Sequence, residues 1–67
     1  MIILHKLNGD EIVLNAVQIE VVEKKPDTTI TLINEKKYIV KESMEEVIEK
    51  AVEYFKKIYS YNRFSSE

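Results

Sequence analysis

Leu7-Asn8-Gly9-Asp10 constrains this chain more than any other stretch, because Asn-Gly between two short apolar runs is the strongest local signal for a β-hairpin. With Asn8 and Gly9 at the centre of a two-residue type I′ turn, Leu7 pairs with Asp10, Lys6 with Glu11, His5 with Ile12, Leu4 with Val13 and Ile3 with Leu14. Lys6 and Glu11 then form an opposite-charge cross-strand pair. Ile3, Leu7, Ile12 and Leu14 share one face and Ile2, Leu4 and Val13 the other. A sheet with one side in water alternates apolar and polar residues, so apolar side chains on both faces predict more surface to cover than an isolated hairpin can manage.

The remaining pattern predicts an α+β chain. Residues 17–24 read as a third strand, with Ile19 and Val21 on one face and Gln18, Glu20 and Lys24 on the other, Val22 being the exception. Lys25-Pro26-Asp27-Thr28 is a turn, because Pro26 presets φ and the Asp27 side chain can bond the local backbone. A fourth strand over residues 29–33, joined by an even-length loop, sets Val21 against Leu32 and Glu23 against Ile30. Asn34-Glu35-Lys36 turns the chain into a fifth strand, residues 37–40. Three loop residues with a bulge are needed to bring Tyr38 and Val40 to the Ile30 and Leu32 face. Glu35 is a poor residue for the positive φ of that turn.

At Ser43 the period changes from two to about 3.6. Ser43-Met44-Glu45-Glu46 has the form of a capping box, with Ser43 and Glu46 bonding each other's backbone N–H groups. Met44, Val47, Ile48, Ala51, Val52, Phe55, Ile58 and Tyr59 form one broad apolar stripe. Acidic residues crowd the start and Lys56 and Lys57 the end, which suits the helix dipole. Glu46 with Lys50 and Glu53 with Lys57 make i,i+4 pairs. The expected architecture is a five-stranded antiparallel meander followed by one C-terminal amphipathic helix, with the sheet strongly curled or closed as a small SH3-like or Sm-like barrel. Residues 1–59 form this single domain, and residues 60–67 a tail.

Size and composition narrow the function classes. The 67 residues allow one domain, at a size where a single core yields only about 3–5 kcal/mol of net stability and oligomerisation often helps. The absence of cysteine excludes disulfides and any cysteine-based metal or redox centre. One histidine, His5, builds no multi-histidine metal site, and its place opposite Ile12 predicts a partly buried, hydrogen-bonded side chain. Glu45, Glu46 and Glu49 are accounted for by capping and the dipole, so no metal is assigned. Gly9 is the sole glycine, which leaves no Gly-rich phosphate loop. No catalytic residue and no cofactor are assigned, and the reading is non-enzymatic. A net charge of -2 gives no general pull toward polyanions. Lys24-Lys25, Lys36-Lys37 and Lys56-Lys57 keep a small Sm-like RNA-binding module as the alternative. The apolar opening, residues 1–4, stops at His5 and is too short for a signal-peptide core or a membrane span, so a cytoplasmic place is expected.

The residues that ask for a partner are apolar ones beyond the reach of one helix. Ile2, Leu4, Val13, Val22 and Ile39 fall on the second sheet face, and Tyr59, Tyr61 and Phe64 lie at or past the end of the helical pattern. These eight are the candidate interface.

Leu7-Asn8-Gly9, then Ile12-Val13-Leu14-Asn15, Ile19-Glu20, Pro26-Asp27-Thr28, Ile30-Thr31-Leu32, and Lys37-Tyr38-Ile39-Val40-Lys41-Glu42-Ser43 before a Glu-rich helix follow in an order that resembles the FlbD/SwrD family of small flagellar proteins. The resemblance spans residues 1–58, and Glu35 stands where that family usually has glycine. It implies a non-enzymatic cytoplasmic accessory of the bacterial flagellum, linked to swarming and to support of the motor and its stators. The expected partners are a flagellar motor component at the basal body and further copies of the same chain, with neither nucleic acid nor membrane insertion.

Overall fold

The computed structural model describes residues 1–65, with side chains as far as Tyr59. The strands are β1 (Ile2–His5), β2 (Glu11–Leu14), β3 (Ile19–Lys24), β4 (Thr28–Leu32) and β5 (Lys37–Val40). A 3₁₀ turn, η1 (Ala16–Gln18), separates β2 from β3, and the helix α1 (Met44–Ser65) follows β5. The fold is α+β as expected, but the strands form two antiparallel sheets, β1-β2 and β3-β4-β5, rather than one meander or a closed barrel. The break is local in origin. The Asn15 side chain accepts from the Val17 N–H at 3.1 Å and starts η1, which buries Ala16 where a hairpin between β2 and β3 would otherwise form.

The first hairpin departs from the expected register by one residue. Ile2 pairs with Leu14, Ile3 with Val13, Leu4 with Ile12 and His5 with Glu11. The loop is therefore Leu7-Asn8-Gly9, closed by Lys6 N–H to Asp10 C=O at 2.8 Å and Gly9 N–H to Lys6 C=O at 2.9 Å. Gly9 has φ +96, the positive-φ residue of a three-residue loop with a bulge. Asn8 accepts from the Asp10 N–H at 2.9 Å. With side chains alternating every residue, this slip gathers Ile2, Leu4, Ile12 and Leu14 on one face and turns Ile3, Val13, His5 and Glu11 to the other. Ile2 and Leu4 belong to the core, Leu4 with 0% of its surface exposed. They are removed from the candidate interface.

A second parity shift occurs between β3 and β4. Lys24 pairs with Thr28 and Val22 with Ile30, so the loop has an odd length, and Val21 faces outward opposite Thr31. A bulge between Ile19 and Val21 restores Ile19 to the side of Leu32. Pro26 follows a cis peptide bond, and Asp27 contributes its carbonyl, not its side chain, accepting from the Lys25 N–H at 3.1 Å and from Thr29 Oγ1 at 3.2 Å.

The β4-β5 hairpin has the expected odd-length, bulged loop, but it is formed by Ile33-Asn34-Glu35 rather than Asn34-Glu35-Lys36 and pairs Ile30 with Tyr38 and Thr28 with Val40. Its turn repeats that of the first hairpin bond for bond. Leu32 N–H donates to Lys36 C=O at 2.8 Å, Glu35 N–H to Leu32 C=O at 2.9 Å, and Lys36 N–H to Asn34 Oδ1 at 3.1 Å. Glu35, with φ 72, occupies the place of Gly9.

The capping box forms as read: Glu46 N–H donates to Ser43 Oγ and Ser43 N–H to Glu46 Oε1, both at 3.1 Å. The helical backbone runs past Tyr59 to Ser65, into the region expected to be a tail. Neither expected i,i+4 ion pair closes among the described residues, the Glu46 carboxylate being held at Ser43. The helix packs on β1 and β3 and so spans both sheets. Ile2, Leu4, Leu14, Ala16, Ile30, Leu32, Val40 and Val47 form the buried core between them.

The twin turns give a paired test. A Cβ at Gly9 meets nothing within 4 Å, so Gly9→Ala acts through backbone strain alone and should destabilise by about 1 kcal/mol in urea unfolding. Glu35→Gly should stabilise by about 0.5–1 kcal/mol, since it relieves the same strain in the other turn. Shifts of the same sign would rule out a shared turn geometry.

Candidate functional site

The helical stripe is wider than the sheet surface that receives it. Val47 is fully buried, and Ala51, Tyr54 and Phe55 pack against the core. Ile48 and Val52, one position further round, keep 48% and 44% of their surface exposed, and Tyr59 keeps 69%. Between this open flank and the η1-β3 segment lies a cleft of about 240 Å³ lined by Ala16, Val17, Ile19, Val22, Val47, Ile48, Ala51, Val52 and Phe55. Every lining residue is apolar, and Val17 stands exposed on the far rim. Three causes build it: the Asn15 cap places Ala16 and Val17, the β3 bulge turns Ile19 and Val22 to one side, and the capping box fixes where the helix starts. The cleft can hold an apolar side chain. It offers no acid, base or nucleophile.

The other candidate residues are scattered. Val22 joins the cleft, half-buried. Val13 lies exposed on the outer face of β2, and Ile39 on the outer face of β5 in the other sheet. Tyr59 is exposed on α1, while Tyr61 and Phe64 lie outside the residues whose side chains are described. Val17, Ile48 and Val52 were not singled out from the sequence. The signal was present, because a stripe containing both Val47-Ile48 and Ala51-Val52 exceeds what one sheet contact covers.

The most connected polar group is Glu42, in the link from β5 to α1. Its carboxylate accepts the His5 backbone N–H at 2.9 Å and His5 Nδ1–H at 2.7 Å. An ionised carboxylate only accepts, so the Nδ1 of His5 carries the proton. His5 is thus part-buried and hydrogen-bonded as expected, but its partner is Glu42, and its neighbour across the hairpin is Glu11, 3.9 Å from Nε2. Among the described residues no group of three or more histidine, aspartate or glutamate side chains could hold a metal ion. Burial acts to raise the Glu42 pKa, but the hydrogen bonds from the His5 ring, the His5 N–H and its own N–H, with the charge of His5, outweigh it, and the carboxyl titrates below its ordinary value of 4.5.

Because the folded-state value is the lower one, the stabilisation from Glu42 is fully present above the ordinary carboxylate range and is lost as the pH falls through the folded value. Glu42→Ala leaves the His5 N–H without its partner and should cost about 1–3 kcal/mol at neutral pH. In urea titrations the gap to the unaltered chain should close as the medium is acidified through that range. Equal stability at neutral pH would rule out the clamp.

No curated protein and no solved structure matches the chain. A family model does, that of FlbD, described as flagellar and swarming motility proteins, over residues 1–59. No helix among the described residues is long and apolar enough to cross a membrane. The matched segment takes in all five strands, the clamp, the capping box and the stripe of α1 as far as Tyr59, and the chain belongs to the FlbD family of flagellar and swarming motility proteins.

Proposed function

We propose that the chain supports motility as a non-enzymatic accessory protein that works by contact, with the cleft between α1 and η1-β3 as its docking face. The observation that carries this reading is the wholly apolar lining of that cleft, with Val17 exposed at its rim and Tyr59 exposed about one turn beyond Phe55 on α1. Leaving such surface in water costs roughly 25 cal/mol per Å², a large burden for a domain of this size. Cover by another protein removes that cost. More than one copy of the chain takes part, and the assembly supports stator function at a component of the flagellar motor on its cytoplasmic side. It acts from the cytoplasm, at the periphery of the basal body, without inserting in the membrane and without nucleic acid.

The test is complementation of swarming in cells that lack the gene. Val52→Glu places a charge on the open flank while sparing Val47 and the core. It should accumulate normally and fail to restore swarming, whereas Val13→Glu, on the outer face of β2, should restore it. Rescue by Val52→Glu would overturn the cleft as the working surface. Failure of Val13→Glu with rescue by Val52→Glu would move the contact to the sheet.

A further inference from the structure

We infer that the open flank of α1 pairs with the same flank of a second copy, antiparallel, in a two-fold symmetric dimer. This rests on the docking face proposed above and names its occupant. Ile48, Val52, Phe55 and Tyr59 recur at steps of four, three and four residues, the spacing of a two-helix seam. On one side of the seam the helix meets its own sheets. On the other side stand Glu49 and Lys56, both exposed, and neither forms an ion pair among the described residues.

Charge then decides the direction. In a parallel pair the two copies of Glu49 fall on opposite flanks of the seam, where Glu49 faces the partner's Met44 and Lys56 the partner's Ala51, so neither charge finds an opposite one. In an antiparallel pair centred between Val52 and Phe55, Val52 meets the partner's Phe55 and Ile48 meets the partner's Tyr59. Glu49 then lies beside the partner's Lys56, and two-fold symmetry makes each contact twice. The partner's Tyr59 then lies on Ile48, a wall residue of the cleft, and supplies the apolar side chain the cleft can hold. A crossing angle of about 20° fits this seam.

The test is sedimentation of the full chain with circular dichroism as the control for folding. A dimer is expected, with Val52→Glu monomeric at unchanged helix content. Glu49→Lys and Lys56→Glu should each raise the dimer Kd roughly tenfold, and combining the two should return it to within about twofold, because the reversed charges pair again. Since the chain has no cysteine, Glu49→Cys combined with Lys56→Cys should form a covalent dimer with oxidised glutathione, while either alone should not. A monomer at the highest soluble concentration, a dimer that survives Val52→Glu, a double charge reversal that fails to restore association, or cross-linking by Glu49→Cys alone would each overturn the proposal. A monomer whose Val52→Glu variant still fails to swarm would leave the docking face standing with a different occupant. A dimer whose Val52→Glu variant swarms normally would do the reverse.

Discussion

A two-stranded hairpin and a three-stranded sheet form one domain here because β1 is tied to the segment that joins β5 to α1. Three contacts make the tie: the bridge between Lys6 and Val40, the Lys41 N–H to His5 C=O bond at 2.8 Å, and the Glu42 carboxylate on the His5 N–H and ring. An isolated hairpin is at best marginal in water. Held against β5, however, its apolar face can share a core with Ile30, Leu32 and Val40. The helix then closes that core by resting on β1 and β3, one strand from each sheet. Glu42 directly precedes the Ser43 cap, so the group that locks the sheets together also fixes the point from which α1 departs.

Local chemistry was legible where a few neighbouring residues decide the outcome. The cap at Ser43 and Glu46 and the odd-length bulged turn that brings Tyr38 and Val40 to the face of Ile30 and Leu32 follow from short spacings. The two-residue reading of Asn8-Gly9 locates the first turn but misses its length, because the dipeptide suits a two-residue loop and also the end of a three-residue loop in which glycine takes the positive φ. The longer loop forms. One residue of slip was enough to move Ile2 and Leu4 from a supposed outer face into the core, since parity in a strand is absolute. The same rule explains Val21 and Val22, which exchange faces because the loop after β3 is odd, while the bulge between Ile19 and Val21 leaves Ile19 on its expected side.

Longer-range features were not legible for a different reason. Glu42 and His5 stand 37 positions apart, and nothing in the spacing of either announces the other. Their contact depends on the bridge between two sheets, which itself depends on β2 and β3 failing to pair. A capped 3₁₀ turn decides that, and its local signal, Asn15 followed by small Ala16, is faint. The width of the helical stripe was readable, whereas its division into a covered and an open half required knowing how far the sheets extend beneath it.

That division puts folding and association on adjacent residues of one helix. Val47 and Ala51 face the core, while Ile48 and Val52 face out, so a substitution moved by a single position changes which property it disturbs. The arrangement also couples the two. The open flank keeps its position relative to η1 and β3 only while α1 starts where the cap and the Glu42 clamp put it. Loosening the clamp therefore removes one of the bonds that fix where α1 departs, and with it part of what sets the position of the open flank. In a chain this small, the surface proposed to meet a partner is shaped by the same few bonds that hold the fold together.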